Sequence, residues 1–268
     1  MHIIDFHTHI YPNAIAQKAA DSICRFYELE GGGMDGTVDT LLKQGALAGI
    51  DHYVVLPVGL KPDHVRHINE FIVSQVAEHR QFTGFGTIHA AMENVAQEVE
   101  FIHGAGLRGV KMHPDTQLFD IDDPRLFPAY EVMRDKGLML MPHMGDPRYD
   151  YSHPARLRRV LDNFPGLQAV ATHFGGYSMP ETAKECLGDT DCIMDISSAL
   201  MFMDRETAVR YIRHYGPERL VYGSDFPLWD PVVEVERFLS LGLTDGEMEQ
   251  IAYKTAMRIL GDVEFVQE

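Results

Sequence analysis

Short apolar runs alternate along the whole chain with longer stretches in which apolar positions recur at helical spacing. The apolar runs predict strands at residues 3–9, 53–58, 83–88, 109–113, 139–143, 169–173, 193–196 and 220–223. The amphipathic stretches predict helices, such as those at 62–79, 94–104, 124–136, 154–163, 205–214 and 231–239. A glycine-rich loop is predicted within residues 29–37.

This alternation of strand and helix predicts parallel strands joined by helical crossovers. About eight such units in roughly 250 residues is the size of a closed (β/α)8 barrel. We therefore predict an α/β fold of the TIM-barrel type, with a single domain over residues 1–268. A doubly wound open sheet is the alternative, although the chain has no Gly-x-Gly-x-x-Gly motif after the first strand.

The amino-acid composition argues against some classes of binding partner. The chain has 268 residues, of which 45% are hydrophobic, as in ordinary globular proteins. A net charge of −17 without any run rich in Lys or Arg argues against nucleic acid. No apolar stretch approaches the ~20 residues that span a bilayer, and we expect neither a membrane partner nor a signal peptide.

The three cysteines are scattered, which argues against a disulfide framework and predicts a cytoplasmic protein. A small-molecule substrate is the expected partner. The sequence does not decide whether the protein forms a homo-oligomer.

Residues that bind metals recur at the carboxyl ends of the predicted strands. His7 and His9 end the first strand, and the period of two places Asp5 on the same face. Alone, such a pair can arise by chance among 14 histidines. Further residues of this kind end or follow later strands: Lys111, His113, His143, His173 and Asp225. Because these ends converge at the catalytic face of a (β/α)8 barrel, they predict a catalytic metal site.

The ordered set of four short motifs resembles the amidohydrolase superfamily. The motifs are His-x-His on the first strand, PHMGDP, THFGG and GSDFP. The resemblance is greatest to the branch of metal-dependent hydrolases that includes aminocarboxymuconate-semialdehyde decarboxylase. It implies one divalent ion, usually Zn, with Mn or Fe as alternatives. It also implies the ligands His7, His9, His143 and Asp225.

In that resemblance His173 activates water or handles protons. From its chemistry, Asp225 can both bind the metal and shuttle a proton to the leaving group. Three neutral imidazoles and a carboxylate leave a coordination position for water, as in catalytic rather than structural sites.

Lys111 has three possible roles. In binuclear members of the superfamily a carboxylated lysine at this strand bridges two metals. In the decarboxylase-like branch a lysine there meets a substrate carboxylate, and a buried structural ion pair is the third reading. We favour one metal and assign Lys111, together with His113 and Arg148, to substrate binding. His113 can equally cap the loop after its strand, and Arg148 can clamp a carboxylate through two hydrogen bonds.

We predict a metal-dependent hydrolase that cleaves a C–O or C–N bond of a small carboxylate-bearing amide, lactone or ester with metal-activated water. The alternative is a non-oxidative metal-dependent decarboxylase or hydratase, a lyase of an unsaturated or aromatic acid. The same ligand set serves both reactions, so the motifs do not separate them. A non-catalytic metal-binding barrel would be expected to have lost a ligand position, and none is lost here.

Overall fold

The computed structural model describes residues 1–29, 33–261, 263 and 265. Its strands are β1 (Ile4–Thr8), β2 (His52–Val55), β3 (Phe82–Gly84), β4 (Gly86–Thr87), β5 (Gly109–Met112), β6 (Met139–Pro142), β7 (Val170–Ala171), β8 (Ile193–Asp195) and β9 (Leu220–Val221). The predicted glycine-rich loop falls partly on residues 30–32, which lie outside the described residues.

The α-helices are α1 (Ala16–Phe26), α2 (Val38–Ala48), α3 (Val65–Glu78), α4 (Val95–Gly104), α5 (Pro114–Gln117), α6 (Phe127–Lys136), α7 (Pro154–Asn163), α8 (Pro180–Leu187), α9 (Arg205–Tyr215), α10 (Pro231–Leu239), α11 (Asp245–Glu249) and α12 (Thr255–Leu260). A π-helical turn at Gln250–Lys254 joins the last two. Short 3-10 turns lie at Pro62–His64, Pro124–Leu126, His173–Gly175 and Pro217–Arg219. Among the described residues, no helix is both long and apolar enough to cross a membrane.

The chain divides into two compact units. The first comprises Met1–Val55, Arg80–Thr83 and Ile196–Glu268, and the second comprises Leu56–His79 and Gly84–Asp195. The paired strands in each unit are parallel, which confirms the α/β class predicted from the alternation of elements. The closed barrel and the single domain stay predictions.

In the first unit, β1 lies between β2 and the segment that follows β9. It pairs with β2 in the register Ile4↔His52, and β3 follows on the far side of β2. On its other side the segment after β9 runs parallel to it, with a bridge between Thr8 and Phe226. All five residues of β1 are buried, as expected for a parallel strand covered on both faces. The carboxyl end of β1 therefore lies beside the loop that follows β9.

In the second unit, five strands form a parallel run. β4, β5 and β6 are adjacent, a bridge between Leu140 and Ala169 continues the run, and β7 pairs with β8. Helix α4 packs against α6, and α7 packs against α8.

Every predicted strand is longer than its counterpart in the structure, and in two of them a particular residue explains the difference. The strand predicted at 83–88 breaks at Phe85 into β3 and β4. The strand predicted at 169–173 ends at Ala171, because His173 and Phe174 have φ of 59° and 55°. Such left-handed residues do not continue a strand, and the chain enters a 3-10 turn instead.

Candidate functional site

The backbone of the first unit brings together His7, His9 and Asp225. The amide of Asp225 donates to the carbonyl of His7 at 2.8 Å, and the amide of His9 donates to the carbonyl of Phe226 at 2.7 Å. Asp225 has a φ of 61°, a left-handed conformation that is uncommon outside glycine and that clusters at functional sites. Two adjacent parallel segments thus place all three side chains at one end of the sheet.

The three side chains present ligand atoms at separations that suit one metal ion. His7 Nε2 lies 3.2 Å from His9 Nε2, and Asp225 Oδ1 lies 3.4 Å from His7 Nε2 and 3.7 Å from His9 Nε2. Ligands held tetrahedrally at about 2.0–2.1 Å from Zn lie about 3.3–3.4 Å apart. His7 is 1% exposed, so two imidazole nitrogens and a carboxylate oxygen meet in a largely dry site. The donor set therefore fits a divalent ion.

Two consecutive serines, Ser197 and Ser198, contact two of these three side chains at atoms that do not face the other ligands. Ser197 Oγ lies 2.9 Å from His7 Nδ1, the ring nitrogen that does not face His9. Ser198 Oγ donates to Asp225 Oδ2 at 2.5 Å and accepts from Trp229 Nε1 at 2.7 Å. A partner on the second ring nitrogen fixes the tautomer of a metal-binding histidine.

Asp5 lies fully buried on β1, two residues before His7. Its Oδ1 accepts from the backbone amides of Ser224 at 2.9 Å and His7 at 3.2 Å, which ties β1 to the loop after β9. Burial raises the pKa of Asp5 to about 7, against the opposing effect of these donated hydrogen bonds.

In the second unit, His143 and His173 form a close pair. His143 Nδ1 lies 3.1 Å from His173 Nε2, a separation that suits a hydrogen bond or two ligands of one ion. Asp195 at the end of β8 accepts from the backbone amide of His173 at 3.0 Å, and its Oδ1 lies 3.8 Å from Nδ1 of the same ring. Both histidines are buried, and His173 has a left-handed backbone with a φ of 59°.

His113 and Asp115 lie against His143. The His113 and His143 rings stack at 4.1 Å between centroids with an interplanar angle of 5°. The His113 side chain also accepts from the amide of Thr116 at 3.4 Å and so caps α5, which is the alternative role that the sequence left open. Asp115 Oδ2 lies 3.9 Å from His143 Nε2, and burial raises the pKa of Asp115 to about 7.

Lys111 and Arg148 occupy different environments within the second unit. Lys111 is 1% exposed in the middle of β5, opposite Met141 on β6. The Arg148 guanidinium pairs with the buried Asp146 through Nε at 3.0 Å and Nη2 at 2.7 Å. A substrate carboxylate would therefore share this guanidinium with Asp146. The substrate-binding roles of Lys111, His113 and Arg148 stay predictions.

Tyr177 lies near the histidine pair, with its ring centroid 5.9 Å from that of His143. Burial raises the pKa of Tyr177 to about 12, and Asp146 adds to the effect. Its phenol is therefore protonated near neutral pH.

Sequence reasoning did not find several residues that contact the predicted site residues. These are Asp115, Asp146, Asp195, Ser197 and Ser198. Asp195 could have been found, since it ends a strand as the histidines do. The serines carry no signal in the sequence, because their role depends on a left-handed residue, Ser198, with a φ of 53°. Trp229 contacts one of these serines, and its indole Nε1 donates a hydrogen bond to Ser198 Oγ at 2.7 Å.

Comparison with known proteins matches the chain to a protein family. Residues 4–261 match the model of a protein family described as amidohydrolase. A comparison with curated proteins gave no match.

Many solved structures resemble the chain. One is an uncharacterised TIM-barrel protein from Bordetella bronchiseptica, with 21% identity, coverage of 97% of this chain and 98% of that one, and a TM-score of 0.82. A second is a dihydroxybenzoic acid decarboxylase from Polaromonas with bound manganese and the inhibitor 2-nitroresorcinol, with 14% identity, coverage of 97% and 96%, and a TM-score of 0.74. A third, from Pseudomonas putida, is described as a candidate 2-pyrone-4,6-dicarboxylic acid hydrolase, with 21% identity, coverage of 97% of both chains, and a TM-score of 0.70. At these identities the likeness shows the fold alone.

Proposed function

The chain belongs to the amidohydrolase family, and from that premise we propose that it is a metal-dependent hydrolase of a small carboxylate-bearing substrate. The bond it cleaves is a C–O or C–N bond of an amide, lactone or ester, and water is the nucleophile. The family, predicted from four short motifs, is confirmed by the match over residues 4–261. The choice of reaction and substrate within the family is our proposal.

The observation that carries the proposal is the arrangement of His7, His9 and Asp225. Their three ligand atoms lie 3.2–3.7 Å apart, and Ser197 and Ser198 contact two of the three side chains. A site with three protein ligands and an open position is typical of catalytic metals. His143 is the fourth ligand that the resemblance implies, and its participation stays a prediction.

When bound, a divalent ion supplies a water of pKa about 7 and a Lewis acid for a substrate oxygen. His173 is proposed to accept and return the proton, because an imidazole ring can do both and Asp195 accepts a hydrogen bond from the His173 backbone amide at 3.0 Å. Asp225 is proposed to bind the metal and to pass a proton to the leaving group. Lys111, His113 and Arg148 are proposed to orient the substrate, Lys111 and Arg148 through their positive charge.

We propose one ion per chain, with Zn as the first candidate and Mn or Fe as alternatives. Manganese gains support from the decarboxylase of similar fold that binds it. A second ion requires a carboxylated Lys111. The substrate is a small molecule, and neither nucleic acid nor a membrane is proposed as a partner.

The alternative function is non-oxidative decarboxylation or hydration of an unsaturated or aromatic acid. It gains support from the decarboxylase that shares this fold, whereas the candidate hydrolase of the same fold supports the hydrolase proposal. The reactions differ in their products: decarboxylation releases CO2, hydrolysis adds water and breaks a C–O or C–N bond, and hydration adds water without breaking one.

The test is a side-by-side assay of the metal-loaded protein on 2-pyrone-4,6-dicarboxylate and 2,6-dihydroxybenzoate. CO2 release and incorporation of 18O from labelled water are measured on each substrate. Labelled oxygen in a product whose C–O or C–N bond has been broken, without CO2, is the expected result for a hydrolase, whereas labelled oxygen with that bond intact would indicate a hydratase. CO2 without labelled product would overturn the hydrolase and establish the alternative. The assay also compares two variants, His7→Ala and His67→Ala. His67→Ala is the matched control, because the His67 side chain is 95% exposed.

A further inference from the structure

The metal-binding atom of Asp225 is selected by a chain of two hydrogen bonds that begins at Trp229. We infer that Ser198 and Trp229 are positioning residues, which hold Asp225 as a monodentate ligand through Oδ1. The inference rests on the proposed metal site at His7, His9 and Asp225, and it assigns a role to residues outside the ligand set.

The direction of each hydrogen bond follows from the chemistry of the groups. An indole N–H can only donate, and an ionised carboxylate can only accept. Ser198 Oγ lies between them, 2.7 Å from Trp229 Nε1 and 2.5 Å from Asp225 Oδ2. The hydroxyl must therefore accept from the indole and direct its one hydrogen to Oδ2. Trp229 thus determines the orientation of the Ser198 hydroxyl.

The two oxygens of Asp225 consequently have different environments. Oδ2 accepts a short, charge-assisted hydrogen bond from Ser198. Oδ1 lies 3.4 Å from His7 Nε2 and 3.7 Å from His9 Nε2, on the side where the ligand atoms converge. Oδ1 is therefore the oxygen placed to bind the ion, and the hydrogen bond from Ser198 draws electron density from Oδ2 and disfavours bidentate binding.

The two residues that form this contact share an unusual backbone conformation. Ser198 and Asp225 both have left-handed backbones, with φ of 53° and 61°. Both serve the same hydrogen bond, and such strain is retained where the surroundings require it. Ser197, the preceding residue, contacts His7 Nδ1 at 2.9 Å, so one short loop positions two of the three ligands.

The test measures metal affinity by competition with a chromophoric chelator, using Zn²⁺ or Mn²⁺ alone, and the visible spectrum of the Co²⁺-loaded protein. Three variants are compared with wild type: Ser198→Ala, Ser198→Gly and Trp229→Phe. Ser198→Gly removes the hydroxyl but accepts a positive φ without strain. Trp229→Phe keeps an aromatic ring and removes only the N–H donor. Ser240→Ala, at an exposed serine that donates to the carbonyl of Arg237, is the control for loss of a hydroxyl.

Both Ser198 variants are expected to bind the metal about 10- to 100-fold more weakly, as is typical for loss of an outer partner of a ligand. Trp229→Phe is expected to fall between them and wild type. The Co²⁺ spectrum is expected to change most in the two Ser198 variants, because Oδ2 loses its hydrogen-bond donor. It is expected to change less in Trp229→Phe, where the hydroxyl remains but is no longer oriented by the indole, and to stay unchanged in Ser240→Ala.

Two results would overturn the inference separately from the proposed function. If wild type binds one ion and Ser198→Gly binds it with the same affinity and spectrum, the hydroxyl does not position Asp225. If Trp229→Phe matches wild type while the Ser198 variants do not, the indole does not orient the hydroxyl. If wild type itself binds no ion, the proposed metal site is wrong, and the inference is wrong with it.

Discussion

Removing the metal is expected to lower the thermal stability of the protein, and replacing His7 by alanine is expected to abolish this effect. An ion that binds only the folded chain stabilises it by about 2.7 kcal/mol when its free concentration is 100 times its dissociation constant. A stability change of 1 kcal/mol moves the melting temperature of a chain of about this size by roughly 2–4 °C. We therefore expect a difference of about 5–10 °C between metal-loaded and chelator-treated wild type.

The His7→Ala variant needs a comparison with itself. His7 is 1% exposed, so its removal also costs packing and lowers the melting temperature whether or not metal is present. The informative quantity is therefore the shift that metal produces in each protein, measured by calorimetry or differential scanning fluorimetry. His67→Ala should keep the full shift, because the His67 side chain is 95% exposed on α3. A wild type that contains metal but melts at the same temperature after chelation would refute the reasoning, as would a full shift in His7→Ala.

Three further predictions address other parts of the account. His173→Ala should retain one ion per chain and lose most of its turnover; loss of the ion, measured by plasma mass spectrometry, would instead indicate that His173 is a ligand. Lys111→Met should leave the metal content unchanged and raise KM, whereas a fall from two ions to one would support a carboxylated bridge. The hydrogen bond from Arg213 lowers the pKa of Glu247 to about 2, so the stability it contributes is present above pH about 4.5 and is lost as the pH falls towards 2. Because this pair is at the surface, Glu247→Gln should cost no more than about 1 kcal/mol at neutral pH, and less at pH 2, in urea unfolding experiments.

The alternation of elements was readable from the chain because parallel strands buried on both faces appear as short apolar runs. The positions of His7 and His9 followed from the period of two along β1. Helix α2 was less visible, because it contains Gly45, a poor helix former. A β-carbon at Gly45 would overlap the ring of Tyr53, a contact between distant segments that no local pattern reveals.

The residues that contact the predicted metal ligands could also not be predicted from the sequence. Nothing in the sequence distinguishes Ser197 and Ser198 from other serines. Their contacts with His7 and Asp225 occur in a loop where Ser198 has a left-handed backbone. Arg148 shows the opposite case. Its charge and position suggested a substrate clamp, but the pairing with Asp146 two residues earlier depends on a loop conformation that residue types do not determine.

The metal content of the purified chain tests the central claim most directly. Plasma mass spectrometry on protein prepared without chelators or a polyhistidine tag should find about one Zn, Mn or Fe per chain, and His7→Ala should reduce it to background while His67→Ala retains it. About two ions would require revision towards a carboxylated Lys111. No ion in wild type, even after metal is added back, would contradict a metal centre at His7, His9 and Asp225.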